Sequence, residues 1–340
     1  MKKLRVAIVG YGIVGKRRRK FIDLNPHLIT CCVSDINFKY DGQFNDGVKF
    51  FSDFRKIFNE SIDVVFVSLP NYLSAEVTLL SLSNGCHVFC EKPPAKTVGE
   101  VRNIINYTKS NPNLKLKYGF NHRYHDSVKE AKKIIDSNQL GHVISFRGVY
   151  GKSSIISFEK GWRSAKKYAG GGILLDQGIH MLDLIRYFSC DYDKIYSFIS
   201  NEFWKHDVED DAFILMKSKV GQIASLHSTA KQWQHRFRLE IILSEGLIEL
   251  SGILSGSKSY GMETLKIIER EDGNSFGNQD EKKYTYLQDN SWEQEIFEFA
   301  DCIINDKNIE HGTAIDALKV MELIFNIYKA DKKWWEYFNN

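Results

Sequence analysis

Residues Leu4–Gly15 read LRVAIVGYGIVG, and this stretch decides the fold of the first third of the chain. The run Leu4–Val9 is mostly apolar, which is typical of a strand buried on both faces. A glycine follows at once, and a helical pattern then runs from Ile13 to about Leu24. The stretch therefore predicts a strand, a tight turn and a helix in immediate succession.

The turn carries three glycines, Gly10, Gly12 and Gly15, spaced as G-x-G-x-x-G. The spacing has meaning here because it follows a strand pattern and opens a helix. Glycines permit close approach to a pyrophosphate, and a helix N-terminus offers N–H groups and a positive dipole end. The candidate cofactor-binding residues of this motif are Gly10, Tyr11, Gly12, Ile13, Val14 and Gly15.

Asp35 ends the second strand pattern, about twenty residues beyond the glycines. A carboxylate at this place bonds the adenosine ribose hydroxyls and repels the extra phosphate of NADP. We therefore expect NAD as cofactor, with NADP disfavoured. The alternative is an ordinary aspartate in a strand-end turn.

Strand-like and helix-like segments alternate through the first 120 residues, whereas the later strand patterns are joined by short turns. Apolar runs separated by helices indicate a parallel sheet, and short links such as Lys219–Gly221 and Ser244–Gly246 indicate antiparallel neighbours. The change of pattern places a domain boundary near Asn121–His125. The polar stretch Gly273–Gln279 is predicted to be a mobile loop.

Composition narrows the possible functions. A length of 340 residues favours two domains, and a net charge of +3, from 46 basic and 43 acidic residues, argues against a nucleic-acid partner. No segment has the ~20 apolar residues that a spanning helix needs. The six cysteines form no C-x-x-C pair, so we expect reduced thiols, no metal site and a cytoplasmic protein.

Two further motifs supply charged groups. Lys92, in Glu91–Pro93, follows an apolar run, and a lysine at a strand end can stabilise negative charge on a reacting oxygen.

Asp176 and His180 lie four residues apart in a helix predicted over 173–188, so they share a face and suit proton transfer. A structural His–Asp contact is the alternative reading, and Asp183 is predicted to form a cap or an ion pair.

Together, Gly10–Gly15, Glu91–Pro93 and the glycine run leading to Asp176 and His180 resemble the glucose–fructose oxidoreductase/inositol dehydrogenase/MocA family. Segments that also look like this family are Leu69–Tyr72, Asn121–Arg123 and Trp162–Arg163. The resemblance implies an α/β N-terminal Rossmann domain over residues 1–122. It implies that an α+β domain with a large, mostly antiparallel open sheet follows over residues 123–340.

The resemblance also implies roles for individual residues. Lys92, Asp176 and His180 match the catalytic set, with His180 as the acid–base group. The further positions that it implies for the cofactor are Leu69, Pro70, Asn71, Glu91, Lys92 and Arg163. The positions that it implies for the substrate are Lys92, Arg123, Trp162, Asp176 and His180.

The implied activity is hydride transfer between a nicotinamide cofactor and a secondary alcohol or ketone of a sugar, polyol or sugar nucleotide. Relatives that oxidise a glycoside transiently with retained NAD, and relatives that sense sugars without turnover, are the alternatives. The segment 150–163 offers cations and hydroxyls (Lys152, Ser153, Ser154, Lys160 and Arg163) that suit a polyhydroxylated or anionic ligand, although ordinary solvated loop residues would look the same. The resemblance further implies a homodimer or homotetramer formed through the C-terminal sheet.

Overall fold

The computed structural model describes residues 3–153, 161–255, 259–270 and 280–339, and it divides into two compact units. Unit 1 comprises Met1–Asn121, Lys167–Gly170 and Trp292–Leu318. Unit 2 comprises His122–Lys166, Gly171–Ser291 and Lys319–Asn340. The first division follows Asn121, within the predicted boundary region. The segment Trp292–Leu318 returns to unit 1, however, so unit 2 is not the continuous stretch 123–340 that we expected.

The helices are α1 (Ile13–Leu24), α2 (Asn71–Ser83), α3 (Val98–Ser110), α4 (Asp126–Asp136), α5 (Lys166–Ala169), α6 (Ile179–Phe188), α7 (Ser291–Ile304), α8 (Ala314–Ala330) and α9 (Lys332–Asn339). The strands are β1 (Leu4–Val9), β2 (Leu28–Ser34), β3 (Gly42–Gln43), β4 (Lys49–Phe51), β5 (Val64–Val67), β6 (His87–Glu91), β7 (Leu116–Gly119), β8 (Val143–Gly151), β9 (Tyr192–Ser200), β10 (Asp211–Ser218), β11 (Ile223–Thr229), β12 (Arg236–Leu243), β13 (Gly246–Ser251), β14 (Glu263–Glu269) and β15 (Glu281–Tyr286). A π turn covers Leu174–Gly178.

The sheet of unit 1 has the strand order β3-β4-β2-β1-β5-β6-β7 within the described ranges. Its strand pairs are parallel apart from the short β3–β4 pair. The chain order runs outward from β1 in both directions, so the carboxyl ends of β1 and β5 form a topological switch point. Ligands of open α/β sheets bind outside the strands at such a point.

Helix α7 belongs to unit 1 because its apolar face completes the core of the parallel sheet. Ile296, Phe299 and Ala300 are buried in one cluster with strand residues that include Phe66 and Phe89. The ring of Phe299 meets those of Phe66 and Phe89 edge-on, at centroid distances of 6.1 and 5.7 Å. Helical periodicity predicts this helix but does not say which sheet it covers, so the return of the chain to unit 1 does not follow from the sequence pattern.

The sheet of unit 2 has the strand order β15-β14-β13-β12-β8-β11-β10-β9 in the part of the chain that the structure describes. Its neighbouring pairs are antiparallel except β8 with β11. This arrangement confirms the predicted large, mostly antiparallel sheet. On β10 the even-numbered residues Ala212, Ile214 and Met216 are buried, whereas Phe213 and Leu215 are exposed, so one face of this part of the sheet is open.

Two local features differ from the sequence prediction. Strand β9 was not predicted, because its exposed positions mix charged Asp193 and Lys194 with aromatic residues. The helix expected over 173–188 is divided into the π turn and α6. The C-terminal residues Lys332–Asn339 form α9, in which Trp334 and Phe338 are buried. The predicted mobile loop 273–279 and loop residues 154–160 lie outside the described residues.

Candidate active site

The glycine turn of unit 1 has room for a ligand at its centre. Gly10 has a φ of +89°, and a side chain there would place its Cβ 2.2 Å from the Ser68 carbonyl oxygen. A Cβ on Gly15 would lie 2.0 Å from the Gly10 carbonyl oxygen. A Cβ on Gly12, by contrast, would meet no atom of the described residues within 4 Å. Gly10 and Gly15 are therefore required by the turn itself, whereas Gly12 leaves open space beside it.

That open space lies at the N-terminus of α1. Gly12 is the N-cap of this helix, and in the described residues no side chain accepts a hydrogen bond from the first turn. Ile13, the first helical residue, is 82% exposed. Uncapped N–H groups at a helix N-terminus, together with the helix dipole, form an anion-binding site. The residues present therefore fit the pyrophosphate of a dinucleotide.

Asp35 is tied to the same turn by hydrogen bonds. Its Oδ2 accepts the Tyr11 N–H at 2.8 Å, and its Oδ1 accepts the Asn37 N–H at 2.9 Å. The side chain is only half-buried. Oδ1 also accepts the Asn37 side-chain amide at 2.7 Å, so both of its lone pairs are used. Oδ2 has a second lone pair, and through this oxygen the group retains acceptor capacity toward ribose hydroxyls.

The next candidate segment, Leu69–Asn71, begins α2 at the carboxyl end of β5. Leu69 and Pro70 are half-buried, and Asn71 is buried. The Asn71 side-chain amide donates to the Ala169 carbonyl at 2.7 Å. This contact holds Ala169, the last residue of α5, against the start of α2.

Glu91 and Lys92 stand at the carboxyl end of β6, and the Lys92–Pro93 peptide is cis. Glu91 Oε1 accepts a hydrogen bond from Arg18 Nε at 2.6 Å. Arg18 is fully buried, pairs with Glu295 at 2.8 Å and lies over the Trp292 ring at 4.2 Å. Arg18 lies in the basic run Lys16–Lys20, and no spacing argument distinguishes it from the other cations of that run. Glu91 thus holds α1 to the end of β6, whatever else it contacts.

In unit 2, Asp176 lies within the π turn and His180 in the first turn of α6. A π turn contains more residues per turn than an α-helix, so the simple four-residue spacing argument does not describe this segment. Such turns occur frequently at functional sites. The Asp176 carboxylate accepts a hydrogen bond from Gln177 Nε2 at 3.1 Å.

Two cations flank the Asp176 carboxylate. Lys152 Nζ lies 4.0 Å from Oδ2, and Arg163 Nε lies 3.9 Å from Oδ1. Lys152 is only 4% exposed, although it follows directly on β8. The Arg163 guanidinium also stacks on the Trp162 ring, at 4.3 Å from its centroid. A buried lysine and an arginine around one carboxylate favour polar or anionic ligands at this place.

His180 packs face to face against a second histidine, His122. The ring centroids are 3.7 Å apart, the planes differ by 11°, and both residues are buried. His122 Nε2 is 3.1 Å from the Tyr150 hydroxyl, and the Tyr150 ring meets the Tyr260 ring edge-on at a centroid distance of 5.4 Å. Burial raises the pKa of both tyrosines, so their hydroxyls stay protonated.

Sequence reasoning missed this histidine–tyrosine cluster as part of the site. His122 lies within the segment Asn121–Arg123 that resembled the family, which was the signal available. Its contact with His180 joins positions 58 residues apart, and no local spacing rule shows such a pair.

Arg123, a predicted substrate contact, has a buried ion-pair partner in the structure. Its Nε and Nη2 donate to Asp183 Oδ2 and Oδ1 at 2.8 and 2.5 Å, and neither residue is more than 4% exposed. The ion pair predicted for Asp183 is therefore confirmed. Within the described residues, no group of three or more His, Cys, Asp or Glu side chains is placed to hold a metal ion.

Two family models match the chain. One, described as the oxidoreductase family, NAD-binding Rossmann fold, matches residues 4–120, and the GFO/IDH/MocA C-terminal domain matches residues 128–249.

Two curated relatives show the level of sequence similarity. A levoglucosan dehydrogenase of Pseudarthrobacter phenanthrenivorans is 28% identical over 59% of this chain and 55% of its own length. A glucose-6-phosphate 3-dehydrogenase of Bacillus subtilis is 30% identical over 55% of this chain and 53% of its own length. The chain thus spans about half the length of these relatives in the matched regions.

Solved structures match over almost the entire chain and show the same fold. A levoglucosan dehydrogenase in complex with NADH and L-sorbose aligns with a TM-score of 0.85, 21% identity and 98% and 97% coverage of the two chains. A myo-inositol 2-dehydrogenase from Lactobacillus plantarum aligns with a TM-score of 0.77, 23% identity and 98% coverage of both chains.

Proposed function

The chain belongs to the GFO/IDH/MocA family of oxidoreductases, and from that premise we propose that it is an NAD-dependent dehydrogenase or reductase of sugar-type substrates. The reaction would interconvert a secondary alcohol and a ketone. The observation that carries the proposal is the open space at Gly12, beside the uncapped amides of α1. Relatives named for levoglucosan, glucose 6-phosphate and inositol support the substrate class.

We assign proton transfer to His180. In oxidation the imidazole removes the hydroxyl proton of the substrate, and in reduction it returns that proton. Asp176 stabilises the imidazolium electrostatically. Lys92 donates a hydrogen bond to the reacting oxygen and stabilises the negative charge that develops on it. Bound NAD supplies the hydride acceptor.

NAD rather than NADP is the cofactor that the local charges favour. Asp35 would lie against the adenosine ribose, where its carboxylate repels a 2′-phosphate. Arg19, which donates to the Tyr11 hydroxyl at 2.9 Å, is already paired with Asp46 and Asp23. The cation next to the turn is thus neutralised by two carboxylates, so it offers little attraction for an additional phosphate.

The substrate is proposed to be a polyhydroxylated sugar or polyol, with or without an anionic group such as phosphate. Lys152 and Arg163, the cations that flank Asp176, are the groups that would bind hydroxyls or an anion. Glu91, Leu69, Pro70 and Asn71 remain proposed cofactor contacts, and Trp162 a proposed substrate contact. Arg123 remains a proposed substrate contact, and its bidentate ion pair with Asp183 also gives it a structural role.

The direct test is to incubate the protein with NAD or NADP and a panel of polyols, sugars, sugar phosphates and sugar nucleotides. Reduced-nicotinamide absorbance should rise for at least one of them with NAD. Tight NAD retention with chemical change in a glycoside but no net reduction would favour transient redox catalysis. Binding of NAD and sugar without reaction would favour a sensor.

We also propose that the chain assembles as a homodimer or homotetramer through the open sheet face. Tyr196 and Phe198 on β9 stand opposite Leu215 and Phe213 on β10, and these four side chains are 49–79% exposed. An apolar patch of this kind is typical of an interaction surface. Light scattering should show more than one chain per particle, and Phe198→Glu with Leu215→Glu should yield monomers, whereas Val220→Glu should not.

We further propose a cytoplasmic location. The six thiols are free, and all lie within the described residues. Burial raises the pKa of Cys86 and Cys90, to about 11 and 12, so these thiols are unreactive. In the part of the chain that the structure describes, no helix combines the length and the apolarity needed to cross a membrane.

A further inference from the structure

Three successive backbone amides at the start of the π turn bond to one residue, Glu209. The Gly172 N–H donates to Glu209 Oε2 at 2.7 Å, and the Leu174 N–H donates to Oε1 at 3.0 Å. The Ile173 N–H donates to the Glu209 backbone carbonyl at 3.0 Å. Because Glu209 is fully buried, its carboxylate acts as a cap supplied from a distant part of unit 2.

A buried tyrosine supports the same carboxylate. The Tyr328 hydroxyl on α8 donates to Glu209 Oε1 at 2.7 Å, and both residues are 0% exposed. Burial raises the pKa of Tyr328 well above its ordinary value, so the hydroxyl remains a donor. Oε1 therefore accepts from both an amide and a phenol.

The glycine run before the π turn leaves the space that these contacts need. A Cβ on Gly172 would lie 2.0 Å from the Glu209 carbonyl oxygen, and one on Gly171 would lie 2.4 Å from Tyr328 Oη. Any side chain at either position would displace Glu209 or Tyr328. The run therefore serves a contact inside unit 2.

The anchored amides lie immediately before the proposed proton-transfer residues. The Asp176 N–H donates to the Gly172 carbonyl at 2.8 Å, and the π turn begins at Leu174, whose amide Glu209 holds. Successive helical residues point about 100° apart. If the helical segment began one residue earlier or later, the side chains of Asp176 and His180 would therefore point in a direction about 100° away.

We infer that Glu209 is a positioning residue for the proton-transfer pair. By holding the first amides of the π turn, it fixes the directions in which Asp176 and His180 point. The inference rests on the proposed function, since it takes those two residues to carry the proton. The anchor itself is a feature of the structure and can be measured without turnover.

The charge state of Glu209 adds a pH readout. Burial raises the pKa of Glu209 to about 7. The hydrogen bonds from Tyr328 and the backbone amides act in the opposite direction and lower this pKa, but by less. A raised folded pKa means that the group contributes stability below its ordinary pKa of 4.5, and that this contribution is lost as pH rises to about 7. Tyr328 is the titratable side chain hydrogen-bonded to it in the described residues.

The test compares Glu209→Gln with Asp210→Asn. Asp210 is the adjacent buried carboxylate, and its Oδ2 accepts the Phe203 and Trp204 amides at 3.0 and 2.8 Å rather than the amides of residues 172–174. Hydrogen–deuterium exchange of residues 172–176 should accelerate at least about tenfold in Glu209→Gln, since two charge-assisted bonds are weakened. Its kcat should fall about tenfold, with the NAD Kd and the substrate KM within about twofold. Asp210→Asn should leave exchange and kcat near wild type.

Two further variants keep the test decisive. Glu209→Asp retains the charge and should restore part of kcat, and the melting temperature of Glu209→Gln should fall less than that of wild type between pH 5 and pH 8. If Glu209→Gln does not fold, Tyr328→Phe leaves the carboxylate in place and should lower kcat about threefold. Unchanged exchange would overturn the anchor, and accelerated exchange with wild-type kcat would overturn the positioning role. If the wild-type protein turned over no sugar, the proposed function and the positioning role would both be refuted. Hydrogen–deuterium exchange in Glu209→Gln would still show whether Glu209 anchors the amides of the π turn.

Discussion

The glycine turn of unit 1 and the histidine cluster of unit 2 are built in opposite ways. The turn is made from backbone within six consecutive residues, Gly10–Gly15, and its key property is space. The cluster is made from side chains on separate segments, with His122 from one and His180 from another. A site made from local backbone is specified by residue spacing, whereas a site made from distant side chains is specified by packing. The two should therefore respond differently to substitution.

The largest expected effect is on the side-chain cluster. His180→Ala should lower kcat at least about 10²-fold, because the proton acceptor is removed, while the NAD Kd changes less than about twofold. Steady-state rates and fluorescence titration with NAD measure the two quantities. The exposed His142 provides the control, and His142→Ala should retain full activity. Turnover near wild type in His180→Ala would remove this residue from the mechanism.

A substitution in the glycine turn should change the NAD Kd, the quantity that His180→Ala leaves nearly unchanged. Gly12→Ala adds a methyl group where the described residues leave open space, so the melting temperature should not change. The NAD Kd should rise about tenfold, because the methyl group occupies the place of the pyrophosphate. Gly99→Ala is the control, since Gly99 is likewise a glycine at the start of a helix, and of the described residues its Cβ would meet only Thr97 Oγ1, at 3.9 Å. An unchanged NAD Kd in Gly12→Ala would contradict the placement of the cofactor.

The next effect concerns cofactor choice. Asp35→Ala should weaken NAD about fivefold and reduce discrimination against NADP, because the carboxylate both accepts ribose hydroxyls and repels a phosphate. Titration of both dinucleotides onto wild type and variant measures the ratio of affinities. A clear preference of the wild-type protein for NADP would refute the interpretation of Asp35.

The last prediction concerns His122, a residue that spacing did not reveal. His122→Phe keeps a ring against His180 but loses the hydrogen bond to Tyr150, so kcat should fall about fivefold. Tyr150→Phe removes the same hydrogen bond from the other side and should give a similar loss. A rate unchanged in both variants would show that the histidine–tyrosine cluster serves packing alone.

Much of the fold follows from local sequence pattern. The strand Leu4–Val9 and the helix Ile13–Leu24 were predicted at their observed bounds, because an apolar run and the glycines that follow it mark where one ends and the other begins. The parallel and antiparallel sheets were predicted from the lengths of the connections. The return of α7 to unit 1 was not, since an amphipathic helix does not encode which sheet it covers.

The parts of the candidate site that could be predicted are those whose residues lie close together in the sequence. The glycine motif and Asp176 with His180 were found by spacing. The buried Arg18, held by Glu91 and Glu295, was hidden within a run of basic residues. Glu209 was invisible in sequence because its partners lie 35 and 119 residues away, and only burial and hydrogen bonds identify it.

The central claim is that the protein transfers a hydride from a sugar-type substrate to NAD with the help of His180, and isotope transfer to the nicotinamide tests this claim most directly. A sugar or polyol carrying deuterium at its oxidised carbon would be incubated with the protein and NAD, and the reduced cofactor would be analysed by mass spectrometry. We predict reduced NAD that carries the deuterium, and its loss in His180→Ala. Product formed without deuterium on the cofactor, or label that reaches the cofactor equally well without His180, would contradict the account.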